Sequence, residues 1–462
     1  MKAKEYGEWV KEVAAESEQF QVIQRMMKGL SASGGRVLHF SHHDLDGAAS
    51  AAIIKLGLEE LGIKVCSRLP TGFQLSPSDL LQGLKECGPV EAVLVTDRGS
   101  DEVFDALTQI HGKIILLDHH PSRNPSKRCL LYNPSLSNGD QTAASHLCHM
   151  LVTSLGVSSI YLDFYALLGC RADFAFDPVT GERGNFVEPF IEHAEEVLPN
   201  LFQVFKGRPT RYDLVFRDRT TRINQLAEVL NASCFAHTYS GRSPKIPNIY
   251  GPTLCLQILR RASEERWALQ EMRFTDLDDW FQGFSGGGIL SEIYRLYLED
   301  WERAMREVEK LVKIGTAGGT SMYFVMGREM PLMPLAASVK IHELKESEGQ
   351  EILILVFHEG SNGANISARG TGQKIHCGFL LNTLAKMIVK SYGFSESVSG
   401  GGHARASECI ISTPEIKSEK IMEELMRLIQ DINLIDQLYE RGTLPKSGFE
   451  RAEELGLSYI KR

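Results

Sequence analysis

The chain has 462 residues, of which 43% are hydrophobic and 24% charged, a balance typical of a globular protein with two or three domains. Its formal net charge of −9 argues against a protein that coats nucleic acid by charge alone, although a local basic groove remains compatible with it. No stretch approaches the roughly 20 uninterrupted apolar residues of a membrane span. The charged N-terminus does not resemble a signal peptide, so we expect a cytoplasmic protein without a membrane partner.

The nine cysteines are scattered along the chain, and none forms a Cys-x-x-Cys pair. A disulfide framework and a structural zinc knuckle are therefore not expected. The sequence predicts that these cysteines are buried apolar thiols.

Residues 1–190 alternate short apolar runs with helical segments. An amphipathic helix is predicted over residues 8–31, and it ends at a Ser/Gly break. The β-rich runs that follow are residues 37–41, 63–69, 92–97, 113–118 and 129–133. Strands that alternate with helices at this spacing predict an α/β fold with a doubly wound, mostly parallel sheet.

The pattern changes after residue 190. Residues 191–315 have helical segments without strong strand periodicity, which predicts a helical insertion. Strand-helix alternation returns over residues 316–436 and predicts a smaller C-terminal α/β domain. Residues 437–462 are polar, and we expect them to form a loosely held tail.

The first motif with chemical potential is His-His-Asp-Leu-Asp-Gly, directly after the predicted strand 37–41. His42, Asp44 and Asp46 alternate there at a strand-to-helix turn. This is the carboxyl end of a parallel strand, where such sheets bind ligands. Gly47 lets the backbone turn tightly. A polar turn with an N-cap aspartate is the alternative interpretation.

Three further motifs place acids or histidines at ends of predicted elements. Asp97 lies in the motif Thr-Asp-Arg-Gly directly after the apolar residues 92–95, and Asp118, His119 and His120 follow the mostly apolar residues 113–117. Asp173 ends an apolar helix. Each alone is compatible with a helix cap or a solvated loop. Because successive strand ends present these groups to one edge of one sheet, together they indicate a site with ligands for two divalent ions.

In order and in strand placement, these motifs resemble those of the DHH phosphoesterase superfamily. The overall layout is most similar to the archaeal RecJ-like exonucleases. The resemblance covers about residues 35–175 and 320–412. It implies a DHH catalytic domain over residues 1–190 and a DHH-associated substrate-binding domain over residues 316–436.

The resemblance also implies two divalent metal ions, with Mn²⁺ favoured over Mg²⁺ because histidines are among the ligands. It assigns one ion to His42, Asp44 and Asp97. It assigns the other ion to Asp46, Asp97, His119 and Asp173, so that Asp97 bridges the two.

The same resemblance implies catalytic roles for neighbours of these ligands. Asp118 would orient the histidine beside it, and His120 would contact the phosphate. The motif around Asp173 departs from the commoner bacterial form, so the carry-over is least direct at that position.

The C-terminal segment Ser-Gly-Gly-Gly-His-Ala-Arg is expected as a glycine loop between a helix and a strand. Backbone amides at Gly401 and Gly402 can approach an anion closely. His403 adds a catalytic donor, and Arg405 or Arg369 adds a fork for a phosphate oxygen. A flexible turn is the alternative, but the resemblance implies that this domain grips the backbone of a nucleic-acid strand.

A basic segment with interleaved aromatic residues occupies the middle region. Its residues are Lys206, Arg208, Arg211, Tyr212, Phe216, Arg217, Arg219 and Arg222. Basic and aromatic side chains together suit single strands, through charge and stacking. A solvated surface is an equally good interpretation.

The sequence therefore predicts a metal-dependent exonuclease that releases 5′-mononucleotides from single-stranded DNA or RNA. One alternative is a phosphodiesterase for short oligonucleotides or cyclic dinucleotides, although the helical insertion favours a longer strand. Another alternative is a replisome-associated scaffold with residual nuclease activity. A scaffold is expected to have lost some of the metal ligands, whereas the motifs of this sequence are complete. An inorganic pyrophosphatase would not need the His403 motif. The resemblance also suggests replication or DNA-repair proteins as partners.

Overall fold

The computed structural model describes residues 3–69, 75–138, 141–176, 183–204, 221–273, 277–328, 330–360, 363–395 and 397–461. The chain divides into two compact units, Met1–Tyr297 and Leu298–Arg462. These units are compact parts of the chain and do not define functional domains. The domain limits predicted from the sequence therefore remain predictions. Among the described residues, no helix combines the length and apolarity that crossing a bilayer requires.

The first unit is built on a five-stranded sheet. Its strands are β1 (Arg36–Phe40), β2 (Lys64–Arg68), β3 (Ala92–Thr96), β4 (Ile114–Leu117) and β5 (Leu130–Tyr132). They lie in the order β2-β1-β3-β4-β5, and every neighbouring pair is parallel. All residues of β3 and β4 are buried, as expected for a sheet covered on both faces. The predicted α/β class and doubly wound parallel sheet are confirmed.

Helices precede and connect these strands. They are α1 (Ala3–Glu16), α2 (Glu18–Ser33), α3 (Leu45–Glu60), α4 (Pro77–Cys87), α5 (Ser135–Asn138), α6 (Ala144–Ser154), α7 (Ile160–Ala172) and α8 (Glu188–Val197), with 3₁₀ turns over Glu102–Gln109 and Pro199–Phe202. The single helix predicted over residues 8–31 is wrong, because the chain breaks at Ser17. The Ser17 hydroxyl accepts the backbone N–H of Phe20 and caps α2.

Further helices complete the first unit. They are α9 (Arg222–Cys234), α10 (Ala236–Tyr239), α11 (Gly251–Glu264) and α12 (Leu277–Gln282), and α13 (Gly287–Val308) begins in this unit. The helices α9 and α11 pack against α3 and α7. The helical character predicted for this region is therefore present, and two of its helices pack against helices that flank the sheet.

The second unit contains a six-stranded mixed sheet. Its strands are β6 (Val312–Ala317), β7 (Thr320–Arg328), β8 (Glu351–Gly360), β9 (Gly363–Gly370), β10 (Val398–Gly402) and β11 (Ala406–Ile411). The order is β10-β11-β9-β8-β7-β6, and only β7 and β8 pair in parallel. The helices are α14 (Met333–Glu348), which joins those two parallel strands, α15 (Cys377–Tyr392), α16 (Ser418–Glu440) and α17 (Lys446–Leu455).

The structure corrects the predicted polar tail. Helix α16 extends to Glu440, and residues 446–455 form α17. Ala452, Leu455 and Leu457 are buried in the core of the second unit. Three apolar positions within six residues are enough to anchor a short helix, but among polar neighbours they give a weak sequence signal.

The structure also corrects the glycine loop. Residues 398–402 form β10, in which Gly400 pairs with Cys409 of β11. A Cβ on Gly400 would lie 2.3 Å from the Leu381 carbonyl oxygen of α15. Glycine is therefore required here because a helix backbone crosses the strand at close range.

Two cysteines are paired, contrary to the prediction. Cys66 at the end of β2 and Cys87 at the end of α4 form a disulfide, with their Cα atoms 6.1 Å apart. The remaining cysteines are buried free thiols, as predicted.

Candidate metal centre

The sheet order brings the first three motifs together. The segments after β1, β3 and β4 leave neighbouring strands at the same, carboxyl-terminal edge of the sheet. In a sheet with the order β2-β1-β3-β4-β5, the chain runs to opposite sides of the sheet from β1 and from β3. Ligands of such sheets bind at the carboxyl ends of the strands at this point. Motifs separated by about 50 and 20 residues in sequence therefore become neighbours in space.

Among the described residues, the groups of potential ligands at this edge include two that correspond to the implied ligand sets, and a third joins Asp97, Asp118 and His120. In each group, every residue offers one ligand atom, and these atoms lie within 4.8 Å of one another. The first group is His42, Asp44 and Asp97. The second group is Asp46, Asp97, His119 and Asp173. The structure therefore brings together the residues of both implied ligand sets, and Asp97 belongs to both groups.

His119 lies among the carboxylates of the second group. Its Nε2 is 3.1 Å from Asp97 Oδ1, 3.1 Å from Asp173 Oδ2 and 3.8 Å from Asp46 Oδ2. In the first group, His42 Nδ1 is 2.7 Å from Asp44 Oδ2 and 3.8 Å from Asp97 Oδ2. One imidazole in each group is thus close to both a carboxylate of its own group and the shared Asp97.

Asp97 is the residue that both groups need, and its backbone is unusual. Its φ of 61° lies in the left-handed region, which aspartate tolerates better than most residues. The side chain is 1% exposed, and Oδ2 has no hydrogen-bond partner among the described residues. Burial, with repulsion from Asp44 and Asp46, raises the pKa of Asp97 well above its usual range. A buried carboxylate with an unpaired oxygen fits a cation ligand.

Asp46 serves a helix as well as the site. Its two carboxylate oxygens accept the backbone N–H groups of Ala144 at 2.8 Å and Ser145 at 3.0 Å, the first residues of α6. Ala143, the N-cap residue of α6, carries no polar side chain, so Asp46 caps this helix from 98 positions away in the sequence. Burial, followed by repulsion from Asp173, raises the pKa of Asp46 to about 7.

Asp44 is both an N-cap and a member of the first ligand group. Its Oδ1 accepts the N–H of Gly47 at 2.9 Å, which caps α3. A Cβ on Gly47 would lie 2.5 Å from the His42 carbonyl oxygen, so the turn requires glycine. The capped turn is therefore present, and it is compatible with the predicted ligand role of Asp44.

Asp118 belongs to neither of the first two ligand groups, but it lies in the third with Asp97 and His120 and contacts the His120 imidazole. His120 Nδ1 is 2.8 Å from Asp118 Oδ1. The same carboxylate accepts the N–H of Gly99 at 3.1 Å and the Ser100 hydroxyl at 2.6 Å. Asn133 donates to Ser100 Oγ and to the His120 carbonyl, both at 2.8 Å. Burial opposes ionisation, but the His120 interactions outweigh it and hold the pKa of Asp118 below its usual range.

Asp173 reaches the site from the C-terminus of α7. It is the C-cap residue of that helix, and Phe174 then turns the chain with a φ of 57°. Gly169 lies one turn earlier, where a Cβ would be 2.2 Å from Asp46 Oδ1 and 2.0 Å from Ser145 Oγ. The glycine in Gly-Cys-Arg-Ala-Asp therefore gives the Asp46 carboxylate its space beside α7.

Several residues at this edge were not predicted. Arg98 donates from Nε to the Ser41 carbonyl at 3.0 Å, and its Nη2 is 2.6 Å from His43 Nε2. The other ring nitrogen of His43 contacts the Tyr250 hydroxyl. Arg98 and His43 stand beside predicted ligands in the sequence, which is a usable signal. Tyr250 is 207 positions from His43, and no sequence pattern connects them.

The predicted substrate-binding residues of the second unit lie around the β10–β11 turn. The N–H of His403 donates to the Ala406 carbonyl at 2.7 Å, and Gly402 has a φ of 135°. Arg369 lies opposite Ala406 in the sheet, is buried, and donates to the Ala368 and Ser407 carbonyls at 3.0 Å each.

Two other predicted members of this group are placed nearby. Gly401 pairs with Glu408 within β10 and β11. Arg405 is exposed in the segment between the two strands. The structure thus brings the five predicted residues together around one turn.

Most of the predicted basic segment, residues 205–220, lies outside the described residues. Arg222 is described at the start of α9. Its Nη1 donates to the Asn200 carbonyl at 3.1 Å and to Gln203 Oε1 at 2.8 Å.

The five-stranded parallel sheet and the mixed sheet of the second unit match solved structures with the RecJ-like DHH fold. RecJ from Thermus thermophilus, solved in complex with Mn²⁺, has a TM-score of 0.55 at 15% identity over 89% of this chain. The match covers 54% of that RecJ chain, so this chain spans about half its length.

Two shorter structures match over most of their own length. The DHH domain of a protein described as a member of a ribosomal protein family has a TM-score of 0.54 at 14% identity, covering 89% of this chain and 92% of that chain. An exonuclease RecJ bound to manganese has a TM-score of 0.53 at 15% identity, covering 88% and 93%. No protein-family model and no curated protein sequence matches this chain. The predicted DHH, RecJ-like fold is confirmed.

Proposed function

We propose that this chain is a metal-dependent phosphodiesterase that acts as an exonuclease on single-stranded DNA or RNA and releases 5′-mononucleotides. The observation that carries the proposal is the pair of ligand groups that share the buried Asp97 at one sheet edge. The manganese-bound RecJ structures of the same fold support it.

The proposed cofactors are two divalent ions, Mn²⁺ or alternatively Mg²⁺. His42, Asp44 and Asp97 would hold one, and Asp46, Asp97, His119 and Asp173 would hold the other. Such a pair of ions activates a water molecule and stabilises the leaving oxygen of a phosphodiester. The donor set fits because it clusters carboxylates, of which Asp46 and Asp97 are buried, with imidazoles, a combination that divalent ions such as Mn²⁺ accept.

The residues around the ligands would position the substrate. Asp118 accepts a hydrogen bond from His120 Nδ1, and the imidazolium form of His120 would then present an N–H at Nε2 to a phosphate oxygen. The bonds to Asp118 from Ser100 and from the N–H of Gly99 keep this carboxylate, and hence the imidazole, in one orientation. In the second unit, Gly401, Gly402, His403, Arg405 and Arg369 stay proposed contacts for a phosphate backbone.

A matched pair of carboxylate-to-amide variants tests the metal assignment. Asn tolerates the left-handed backbone at position 97 well, so Asp97→Asn should fold while losing a charged ligand of both groups. The control is Glu60→Gln, at an exposed position of α3. With end-labelled DNA and RNA strands and added Mn²⁺, we expect wild type and Glu60→Gln to degrade the strands. Asp97→Asn, and wild type in chelator, should be inactive with unchanged circular dichroism.

Strand length separates the competing functions. Long strands degraded to mononucleotides support the exonuclease, whereas turnover restricted to dinucleotides or cyclic dinucleotides supports the short-substrate phosphodiesterase. A protein that binds strands without cleaving them in either metal would support the scaffold. Full activity of Asp97→Asn would overturn the metal assignment. A cytoplasmic location and a partnership with replication or repair proteins are further proposals that accompany this function.

A further inference from the structure

Three residues form a hydrogen-bonded line from the motif edge to the helical segment. Arg98, which follows the shared ligand Asp97, has its Nη2 2.6 Å from His43 Nε2. His43 stands between His42 and Asp44, and its Nδ1 contacts the hydroxyl of Tyr250. Tyr250 is the residue before α11. The line therefore connects a residue of the helical segment to the loops that carry the ligands.

The chemistry of this line fixes the direction of each hydrogen bond. A guanidinium group has only donors, so His43 Nε2 must accept from Arg98. A neutral imidazole with an accepting Nε2 carries its hydrogen on Nδ1. His43 Nδ1 therefore donates to the Tyr250 oxygen, and the hydroxyl keeps its own hydrogen for another acceptor. Arg98 thus orients the hydroxyl of Tyr250 as a donor.

Tyr250 is close to the metal ligands and accessible. The rings of His42 and His43 have centroids 5.7 Å apart, and those of His43 and Tyr250 are 5.6 Å apart, edge to face. A single imidazole thus separates the Tyr250 ring from a proposed ligand. Tyr250 is 42% exposed, whereas Arg98 is 7% exposed. The exposed end of the line is the tyrosine, where an incoming molecule can reach it.

The backbone holds Tyr250 in place. The next residue, Gly251, packs so closely on α9 that a Cβ would lie 2.0 Å from the Cys234 carbonyl oxygen. The N–H of Gly251 is 3.3 Å from His237 Nδ1, and the His237 ring lies 5.1 Å from the Tyr250 ring. Tyr250 is therefore held between two imidazoles at the start of a docked helix, which preorganises its hydroxyl.

We propose that Tyr250 is a substrate-contacting residue whose hydroxyl donates a hydrogen bond to a phosphate oxygen of the nucleic-acid strand near the metal centre. This proposal rests on the proposed function. A phosphate oxygen is the acceptor that every nucleotide offers, so the contact serves a strand of any sequence. Arg98 and His43 are positioning residues, since they act through the tyrosine.

The test removes only the hydroxyl. Tyr250→Phe keeps the ring, and Tyr161→Phe is the matched control because the Tyr161 hydroxyl bonds the Trp267 carbonyl. Binding of a fluorescent single strand is measured in Ca²⁺, and its hydrolysis in Mn²⁺. We expect Tyr250→Phe to weaken binding about tenfold, as for one hydrogen bond to a charged acceptor. Tyr161→Phe should bind like wild type.

A chemically altered strand identifies the acceptor. Uncharged methylphosphonates, placed at one phosphate at a time, should weaken wild-type binding about tenfold at the contacted phosphate and leave Tyr250→Phe insensitive there. Arg98→Met frees His43 to accept from the hydroxyl, so combining it with Tyr250→Phe should cost less than the sum of the two. Wild-type binding by Tyr250→Phe, or equal methylphosphonate sensitivity in both proteins, overturns the proposal.

The two proposals fail in different ways. If the wild type binds strands but hydrolyses none in Mn²⁺, the nuclease function is wrong, and the binding measurements in Ca²⁺ still decide the role of Tyr250. If the wild type hydrolyses strands and Tyr250→Phe matches it in both assays, only the role of Tyr250 is wrong.

Discussion

Replacing Gly169 by alanine would put a methyl group where the Asp46 carboxylate lies. The new Cβ would be 2.2 Å from Asp46 Oδ1 and 2.0 Å from Ser145 Oγ, far inside van der Waals contact. Helix α7 is buried here, so the carboxylate is the group that must move. A displacement of about 1 Å at a catalytic centre can cost on the order of 100-fold in rate.

The same displacement would weaken the bonds from the Ala144 and Ser145 N–H groups to Asp46. We therefore expect Gly169→Ala to lower kcat/KM by roughly 100-fold and to weaken metal binding. Overpacking should lower the free energy of unfolding by about 1–3 kcal/mol. Metal titration by calorimetry, strand hydrolysis and chemical denaturation measure the three effects.

Gly29→Ala is the control for this prediction. Gly29 lies in α2, is exposed, and a Cβ there would meet nothing within 4 Å. Alanine in an exposed helix should stabilise the protein by about 0.5–1 kcal/mol and leave activity unchanged. If Gly169→Ala bound metal and cleaved strands like Gly29→Ala, the proposed role of Asp46 as a closely packed ligand would be refuted.

Burial, followed by repulsion from Asp173, raises the pKa of Asp46 to about 7, and burial also raises that of Asp97. In metal-free protein the raised pKa of both carboxyls means that they favour the fold while protonated. This contribution is complete below about pH 4, and that of Asp46 is lost as pH rises through about 7. Metal binding needs the ionised forms, so the rise in Tm on adding Mn²⁺ should grow from about pH 5.5 to about pH 8; a constant rise would contradict this. The Cys66–Cys87 disulfide closes a 21-residue separation, and double replacement by serine should lower the free energy of unfolding by about 3 kcal/mol. Denatured, unreduced protein should titrate seven thiols and reduced protein nine; nine thiols before reduction would exclude the disulfide.

The parallel sheet, and the sheet edge at which the candidate ligands lie, were predictable because their sequence signals are local. Each strand is an apolar run that ends directly at a motif, as at Asp97 after β3 and Asp118 after β4. Because neighbouring parallel strands end at the same edge of a sheet, motifs that follow different strands are expected to lie close together in space. The candidate ligands could therefore be placed at one edge from sequence, whereas their division into two sets came from the family resemblance.

The remaining features depend on contacts between distant segments. Tyr250 meets His43 across 207 positions, and nothing in either neighbourhood signals it. Gly169 was visible as part of a motif, but its reason is the oxygen of Asp46 on another helix. Gly400 looked like a loop glycine because its cause, the carbonyl of Leu381, belongs to α15. Where another segment packs closely against the backbone, the sequence shows only that the position is a glycine. It does not show which distant residue lies beside that glycine.

Asp46 would also link the occupancy of the proposed metal centre to the folding of a helix. The ionised carboxylate is the form that binds a cation and also the form that accepts both N–H groups of α6. By thermodynamic linkage, an ion that favours ionised Asp46 also favours the capped state of α6. Amide hydrogens at Ala144 and Ser145 should thus exchange with solvent more slowly as the ion concentration rises. Ion concentration would then govern how often the first turn of α6 opens, in a helix whose own N-cap residue provides no side-chain acceptor.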